Sequence, residues 1–214
     1  MTRILCYGDS NTYGYNPMGG RYGEDIRWPM VMQRELGENF RVIEEGLNGR
    51  TFCCDDPLEG GFKSGLTYLP PCLMSHNPID LFAVMLGTND TKERFGLNSE
   101  TIAFNLSNYV RVVREYACDS NGHPPRILII SPPLIGDISS SPFSRHFGSA
   151  CVEKAGGLSK HYQRHARLHG CDFLDAGLYT APGRIDAVHL SANGHISLGK
   201  AVATKIREIF NQED

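Results

Sequence analysis

Residues 81–86 read Leu-Phe-Ala-Val-Met-Leu, and the polar sequence Gly-Thr-Asn-Asp follows at once at 87–90. A second unbroken apolar run, Ile-Leu-Ile-Ile, occupies residues 127–130. Strands that are covered by helices on both faces have this composition, whereas half-exposed strands alternate apolar and polar residues. The two runs therefore predict the centre of a parallel sheet.

Weaker strand patterns and helical periodicities alternate on either side of these runs. Including the two runs, strands are predicted at residues 2–7, 41–45, 80–85, 126–131 and 171–174. Helices are predicted at residues 28–36, 99–116, 144–169 (weakened at Gly156 and Gly157) and 191–210. This alternation predicts one α/β domain over residues 1–214, with a five-stranded parallel sheet of the flavodoxin-like, three-layer type. Residues 55–71 and 134–148 are expected to be long irregular loops that shape a binding pocket.

The composition excludes several classes of protein. The chain has 214 residues, 41% of them hydrophobic and 21% charged, which is ordinary for a folded globular domain. The net charge of −3 and the lack of any basic stretch argue against a nucleic-acid partner. No apolar run approaches the roughly 18 residues of a membrane span.

The cysteines indicate the compartment. Seven cysteines, an odd number without C-x-x-C spacing, argue against a disulfide framework or a zinc ribbon. Most lie in or near apolar segments, as small core residues do. We therefore expect free thiols and a cytoplasmic location.

Ligands of parallel α/β sheets bind at the carboxyl ends of the strands, so the residues that follow each strand are the candidates for chemistry. Gly8, Asp9 and Ser10 follow the first strand. A serine that opens a helical turn there presents its hydroxyl and its own N–H to a ligand, although Asp and Ser are also ordinary helix caps. Gly46 and Gly49 follow the second strand and allow a close backbone approach, although an ordinary loop has the same composition.

Two further groups complete this set. Asn89 follows the third strand and offers a neutral amide donor, although an Asx turn is the alternative. Asp186 and His189 lie three residues apart and can meet across one tight turn. The carboxylate would then accept from Nδ1 and leave Nε2 free to take a serine proton, although D-x-x-H is common by chance. Asp9 and Asp90 are interpreted as scaffold that binds loop backbone.

Each piece is weak alone, but together they are the parts of an acyl-transfer site. In the same order along the chain, the sequence resembles the SGNH, or GDSL-type, hydrolase family. Gly-Asp-Ser at 8–10 is similar to the nucleophile block, with Asn11 where the namesake motif has leucine. Gly49, residues 87–90 and residues 186–189 are similar to the family's glycine, asparagine and Asp-His blocks.

The resemblance implies specific roles and no metal or cofactor. It implies the catalytic residues Ser10, Asp186 and His189, and the oxyanion-hole residues Ser10, Gly49 and Asn89. Neighbours of these blocks are the expected substrate-binding residues: Asn11, Tyr15, Thr88 and Val188.

Residues 27–28, 42–47, 55–57, 68–70, 85–92 and 131–133 resemble the small arylesterase/acyltransferase branch of the family. This implies a serine esterase that hydrolyses small acetyl or aryl esters through an acyl-enzyme, with transfer of the acyl group to alcohols in some members. It also implies a small-molecule ester as partner and a homo-oligomer. Tyr13 and Tyr15 stand where related sequences have other aromatics, so acyl preference stays open. A carbohydrate O-deacetylase or a thioesterase with the same triad is the alternative.

Other readings of the sequence remain. His161, His165 and His169 share one helix face and could bind zinc, but they lack an H-E-x-x-H pattern and have basic neighbours. Cys53 and its neighbour Cys54 could supply a thiol nucleophile, but no histidine stands at a motif position near them. The P-loop, dinucleotide and G-x-S-x-G motifs are missing from the sequence.

A non-catalytic flavodoxin-like binding module is the rival class, and loss of the serine or the histidine would be its signature. Phe143 and Phe147 could line the pocket, contact another subunit or pack locally within their loop.

Overall fold

A computed structural model describes residues 1–211. Its sheet has five parallel strands in the order β2-β1-β3-β4-β5. The strands are β1 (Thr2–Gly8), β2 (Phe40–Gly46), β3 (Leu81–Met85), β4 (Arg126–Ser131) and β5 (Asp172–Asp175). Strand β1 pairs on one side with β2, where Tyr7 faces Glu45, and on the other with β3, where Ile4 faces Leu81. The predicted five-stranded parallel sheet is confirmed.

Helices cover both faces of this sheet. They are α1 (Ser10–Tyr13), α2 (Trp28–Leu36), α3 (Gly65–His76), α4 (Ser99–Tyr116), α5 (Ser144–Phe147), α6 (Cys151–His169) and α7 (Ala192–Asn211). Buried side chains of α3, α4 and α6 form one core with one face of the strands, and those of α2 and α7 form a second core on the opposite face. The result is a single α/β domain of three layers. Within residues 1–211, no helix combines the length and the apolar character needed to cross a membrane.

The central strands are buried as their composition predicts. Every residue of β3 is at most 1% exposed, because alternate side chains enter the two cores. Phe82 and Val84 pack in the core of α3, α4 and α6, whereas Leu81 and Met85 pack in the other. This two-sided burial explains why the run has no polar residue.

One predicted helix is divided in the structure. The expected helix at 144–169 consists of α5 and α6, which are separated at residues 148–150 rather than weakened at Gly156 and Gly157. Gly148 has φ +75°, and a Cβ there would meet the carboxylate of Glu93 at 2.2 Å. Gly157 stays helical, and its missing side chain lets α6 approach Ser99 at the start of α4.

The expectation of an irregular loop at 55–71 is wrong in its second half. Helix α3 begins at Gly65, and the hydroxyl of Ser64 accepts a hydrogen bond from the backbone N–H of Thr67. Two prolines inside the helix, Pro70 and Pro71, masked it in the sequence. The helix forms because burial of its apolar side chains against the sheet outweighs the proline penalty of roughly 3 kcal/mol each.

The cysteines are unpaired, as expected. All seven are free thiols, and Cys6, Cys72 and Cys151 are buried. Cys53 is the exposed member of the set.

Candidate active site

The site lies where the strand order changes direction. The chain leaves β1 toward β2 on one side, whereas β3 and β4 lie on the other, and such a switch point leaves a crevice at the carboxyl edge of the sheet. Ser10 follows β1 and Asn89 follows β3, so both side chains begin at this crevice. The loop before α7 brings His189 to the same place.

A sharp turn after β1 positions Ser10. The carboxylate of Asp9 caps helix α1 by accepting from the N–H of Asn11 at 2.9 Å. A Cβ on Gly8 would lie 2.0 Å from the hydroxyl of Thr12, so only glycine allows the helix to turn back this closely. Ser10 stands in the first position of the helix and is 6% exposed.

One tight turn brings Asp186 and His189 together. Oδ1 of Asp186 accepts from the backbone N–H groups of Val188 (3.0 Å) and His189 (2.9 Å), and Ala187 adopts φ +62° to close the turn. Oδ2 of Asp186 lies 2.7 Å from His189 Nδ1, and His189 Nε2 lies 2.8 Å from Ser10 Oγ. All three side chains are therefore joined in one hydrogen-bonded chain.

The charge state of Asp186 follows from these contacts. Burial pushes the pKa of Asp186 upward, but the hydrogen bonds from the His189 ring and from the two backbone N–H groups outweigh it, and the pKa is lowered. The carboxylate thus remains ionised and can stabilise a positive charge on the imidazole.

Three hydrogen-bond donors lie near the Ser10 hydroxyl: its own backbone N–H, that of Gly49 and the side-chain amide of Asn89. Within residues 1–211, the backbone N–H groups of Ser10 and Gly49 donate no hydrogen bond. Gly49 has φ +79°, and a Cβ there would meet Glu59 at 2.4 Å, so the position requires glycine. The amide of Asn89 donates to the carbonyl of Arg50 at 3.1 Å, which orients the group and leaves its second N–H available.

Asp9 and Asp90 support the loops behind these donors. Both oxygens of Asp90 accept from the N–H of Phe52, at 3.0 and 3.2 Å, and thereby hold the loop after β2 against the loop after β3. Burial raises the pKa of Asp9 to about 6 and that of Asp90 to about 7, against the opposing hydrogen bonds. Both carboxyl groups thus accept hydrogen bonds from backbone N–H groups, as we expect of residues that support the loops.

A cavity of about 270 Å³ opens at the serine. The expected residues Tyr15 and Val188 line it, and the Tyr15 ring lies 4.3 Å from the ring of His189. Phe143 faces the same histidine at 5.4 Å. The other lining residues are Ser10, Asn48, Gly49, Glu59, Asn89, Lys92, His146, Phe147 and His189.

Asn11 and Thr88, which are also expected to bind substrate, are buried and are not among the residues that line this cavity. Asn11 is 2% exposed, and its Oδ1 accepts from the N–H of Leu190 at 2.9 Å while its amide points to the carbonyl of Val188 at 3.5 Å. Thr88 is 4% exposed, and its carbonyl accepts from Thr91. Adjacency to a motif residue does not ensure adjacency to substrate, because helical and 3-10 turns point neighbouring side chains in different directions.

Sequence reasoning missed the charged wall of the cavity. Lys92 is 1% exposed, and its ammonium contacts Glu59 and lies 3.5 Å from Asp56. Arg94 closes the group with contacts of 2.6 Å to Asp56 and 3.0 Å to Glu59. Two cations and two anions from separate loops thus neutralise each other beside the serine. In the sequence, only the position of Lys92, two residues after the Gly-Thr-Asn-Asp block, could have pointed to this wall.

The alternative sites named from sequence have other surroundings. Nδ1 of His165 and Nε2 of His169 both lie within hydrogen-bonding distance of the Ser107 hydroxyl, at 3.3 and 2.9 Å. Desolvation of the sulfur and the neighbouring Cys54 raise the pKa of the Cys53 thiol to about 12, which disfavours the thiolate that a nucleophile needs.

Known proteins share the sequence pattern and the fold of this chain. A profile of the GDSL-like lipase/acylhydrolase family matches residues 6–195. The chain belongs to this family. Among curated proteins, none matches the chain.

Solved structures of GDSL-like esterases are similar over nearly the whole chain. The aryl esterase of M. smegmatis shares 35% identity with a TM-score of 0.90, over 97% of this chain and 99% of that one. Est24, a carbohydrate acetylesterase from Sinorhizobium meliloti, shares 36% identity with a TM-score of 0.91, over 98% and 100%. The protein is a carboxylic ester hydrolase with a GDSL-like esterase fold.

Proposed function

We propose that this GDSL-like esterase cleaves small acyl esters, such as acetyl and aryl esters, through an acyl-enzyme on Ser10. The observation that carries the proposal is the hydrogen-bonded chain from Ser10 Oγ through His189 to Asp186, with distances of 2.8 and 2.7 Å. A nucleophile, a base and a group that orients the base are the parts that serine acyl transfer requires.

In the proposed reaction, Ser10 Oγ attacks the acyl carbon while His189 Nε2 takes the hydroxyl proton. Asp186 keeps the histidine in the required tautomer and stabilises its positive charge. The developing oxyanion accepts hydrogen bonds from the N–H groups of Ser10 and Gly49 and from the amide of Asn89.

Collapse of this tetrahedral intermediate breaks the bond between the acyl carbon and the leaving oxygen. His189 gives its proton to that oxygen, so the alcohol leaves and the acyl group stays on Ser10. Water then attacks with His189 as base, and the second intermediate releases the acid and restores the serine hydroxyl.

Replacement of Ser10 tests this assignment. Ser10→Ala should reduce p-nitrophenyl acetate turnover to a background that the remaining donors supply. A fluorophosphonate should add one label per chain, and peptide mass analysis should place it on Ser10. Ser191→Ala, a change at a serine outside the cavity, is the matched control. Retained turnover in Ser10→Ala, or a label at another residue, would contradict the proposal.

The proposed acyl-enzyme could also pass its acyl group to an alcohol. Apolar surface from Tyr15, Phe143 and Phe147 surrounds the histidine and favours an organic acceptor over water. With p-nitrophenyl acetate and added benzyl alcohol, we expect benzyl acetate in addition to acetate. Formation of acetate alone over a range of alcohol concentrations would limit the function to hydrolysis.

A carbohydrate acetyl ester is the second candidate substrate, and the charged wall favours it. Glu59 and Lys92 line the cavity as an ion pair whose more exposed member is the Glu59 carboxylate, and such polar groups match sugar hydroxyls. Lys92→Met should raise KM for an acetylated sugar more than KM for p-nitrophenyl acetate. Equal increases in KM for the two compounds would favour an aryl ester as the substrate. A thioesterase would use the same triad, and acetyl thioesters assayed in parallel would identify it.

We also propose that the protein forms a homo-oligomer that acts on a small-molecule ester, without a nucleic-acid or membrane partner. Exposed apolar side chains, among them Phe62 (89%) and Leu58 (74%), are compatible with a contact between subunits. Sedimentation equilibrium should give a mass of at least twice the 23.7 kDa of one chain. A monomer at micromolar concentration would contradict this part of the proposal.

A further inference from the structure

A group of three potential metal ligands lies outside the esterase cavity. Cys72 and His76 lie one helical turn apart on α3, so their side chains share a face of the helix. Glu45, near the end of β2, faces them. The carboxylate, the thiol sulfur and the imidazole nitrogen all lie within 4.8 Å of one another. None of the three residues lines the cavity at Ser10.

The ligand atoms can reach the spacing of a tetrahedral zinc site by small side-chain movements, since no two of them are more than 4.8 Å apart. Zinc bonds of about 2.0–2.3 Å put neighbouring ligand atoms about 3.3–3.7 Å apart. His76 Nε2 and Glu45 Oε1 are now 2.8 Å apart, so a proton joins them in a hydrogen bond. Replacing that proton by a metal would separate the pair by less than about 1 Å.

We propose that Glu45, Cys72 and His76 bind a zinc ion that ties the end of β2 to α3. Thiolate and imidazole ligands favour zinc over magnesium or calcium, which prefer oxygen ligands. The neighbouring cavity, lined in part by Glu45 and Pro71, leaves room for water as a fourth ligand.

The backbone already holds the ligands in place. Glu45 pairs with Tyr7 in the parallel register of β1 and β2, and its carbonyl accepts a hydrogen bond from Arg50. The carbonyl of His76 accepts from the guanidinium of Arg3 at 2.9 Å. A site built on a strand and a helix requires little reorganisation when the ion binds.

The charges around the cluster predict proton release. Burial and the charge of Glu45 raise the pKa of the Cys72 thiol to about 12, so the metal-free protein keeps the thiol proton and zinc must displace it. Zinc binding breaks the S–H bond, forms the sulfur–zinc bond and passes the proton to solvent. With a neutral imidazole in both states, the charge of the cluster changes from −1, that of the Glu45 carboxylate, to zero, because thiolate, carboxylate and Zn²⁺ then sum to zero.

Cobalt(II) titration of the metal-free protein tests the proposal, because a thiolate–cobalt bond gives a charge-transfer band in the near ultraviolet. We expect the band to saturate at one ion per chain, and zinc to abolish it by displacement. Cys72→Ser should remove the band, and His76→Gln should weaken binding by at least about tenfold.

Two matched variants separate this site from adventitious binding. Cys53→Ser removes an exposed thiol, and His165→Gln removes one of the three histidines that share a face of α6. Both variants should leave the titration unchanged. The zinc-site proposal is contradicted if the cobalt band is missing, if the band persists in Cys72→Ser, or if either control substitution abolishes it. Because Cys72 is buried, circular dichroism must first show that Cys72→Ser is folded. If it is not folded, the weaker binding expected of His76→Gln decides the outcome, since His76 is more exposed.

Discussion

Asn89 shows how a single amide can have two tasks. One N–H is directed to the carbonyl of Arg50 at 3.1 Å, and the other is the one that we propose to bind the oxyanion near Ser10. Asn89→Ala removes this donor and also the hydrogen bond to the Arg50 carbonyl. We expect kcat for p-nitrophenyl acetate to fall about 10²–10³-fold, with a small change in KM, because the bond strengthens in the transition state.

Asn105→Ala is the control for this change. Asn105 is an amide on the surface of α4 whose side chain contacts only its own helix. Its replacement should leave kcat unchanged. A loss in Asn89→Ala that is confined to KM would remove Asn89 from the oxyanion hole.

Asp90 makes stability depend on pH. Burial raises its pKa to about 7 in the folded chain, whereas the unfolded value is near 3.8. The folded state therefore holds the extra proton between these values, and stability falls as pH rises from about 4 to about 7. Asp90→Asn keeps an acceptor for the Phe52 N–H without the charge. We expect its stability relative to the wild type to increase with pH over this range, as urea unfolding would measure.

Asp137→Asn is the matched control, since hydrogen bonds from Ser139 lower the pKa of this exposed carboxyl and keep it ionised above pH 4. Its stability difference from the wild type should stay constant between about pH 5 and pH 8. A constant difference for Asp90→Asn would mean that Asp90 stays ionised despite its burial.

At the scale of elements, Asn11 joins helix α1 to the loop that carries His189. It accepts from the N–H of Leu190 at 2.9 Å and so sets the distance between the serine and the histidine. Asn11→Ala leaves that buried N–H without a partner, which should cost about 1–3 kcal/mol of stability. Displacement of His189 should also lower kcat, by up to about 10²-fold.

Urea unfolding and steady-state kinetics measure the two effects separately. Asn16→Ala, which removes an amide just after α1 that contacts only Met18, is the control. If Asn11→Ala raised KM and left kcat and stability unchanged, Asn11 would contact substrate as the sequence suggested, and the structural role would be wrong.

The elements differ in how well the sequence predicts them. The run of β3 and the stripe of α4 were predictable, because their patterns reflect burial within one segment. Helix α3 was not, because its stability comes from contact between Leu69 or Leu73 and a sheet that is distant in the chain. The two prolines indicate only a local energetic cost. The burial that compensates for this cost depends on tertiary contacts.

At the scale of the whole molecule, the size of the cavity limits the acyl group. A volume of about 270 Å³ lies below that of usual drug-sized pockets, and the ring of Phe143 lies 5.4 Å from the ring of His189. We expect kcat/KM for p-nitrophenyl esters to fall from acetate to octanoate. Phe143→Ala should shift the preference toward longer chains by removing part of the wall.

Phe104→Ala, at an exposed ring on α4, should leave the chain-length profile unchanged. A wild-type profile that rises toward octanoate would mean that the acyl chain lies outside this cavity. The variants must be compared at the same oligomeric state, because a neighbouring subunit can also narrow the entrance.

The candidate site was predictable to different extents. Ser10, Gly49, Asn89, Asp186 and His189 follow strands or lie in one short turn, so spacing and resemblance were sufficient to nominate them. Glu59 and Lys92 belong to loops that meet only after folding, and no spacing connects them. Thr88 is next to Asn89 in the chain, yet it is buried and does not line the cavity.

The sequence by itself determined the parallel sheet, its central strands and the identity of the groups at its carboxyl edge, because burial and turn chemistry are recorded locally. Only the tertiary structure decided which side chains form the cavity wall, that α3 exists, and that Glu45, Cys72 and His76 meet. These depend on contacts between segments far apart in the chain, whose free energies no local pattern contains.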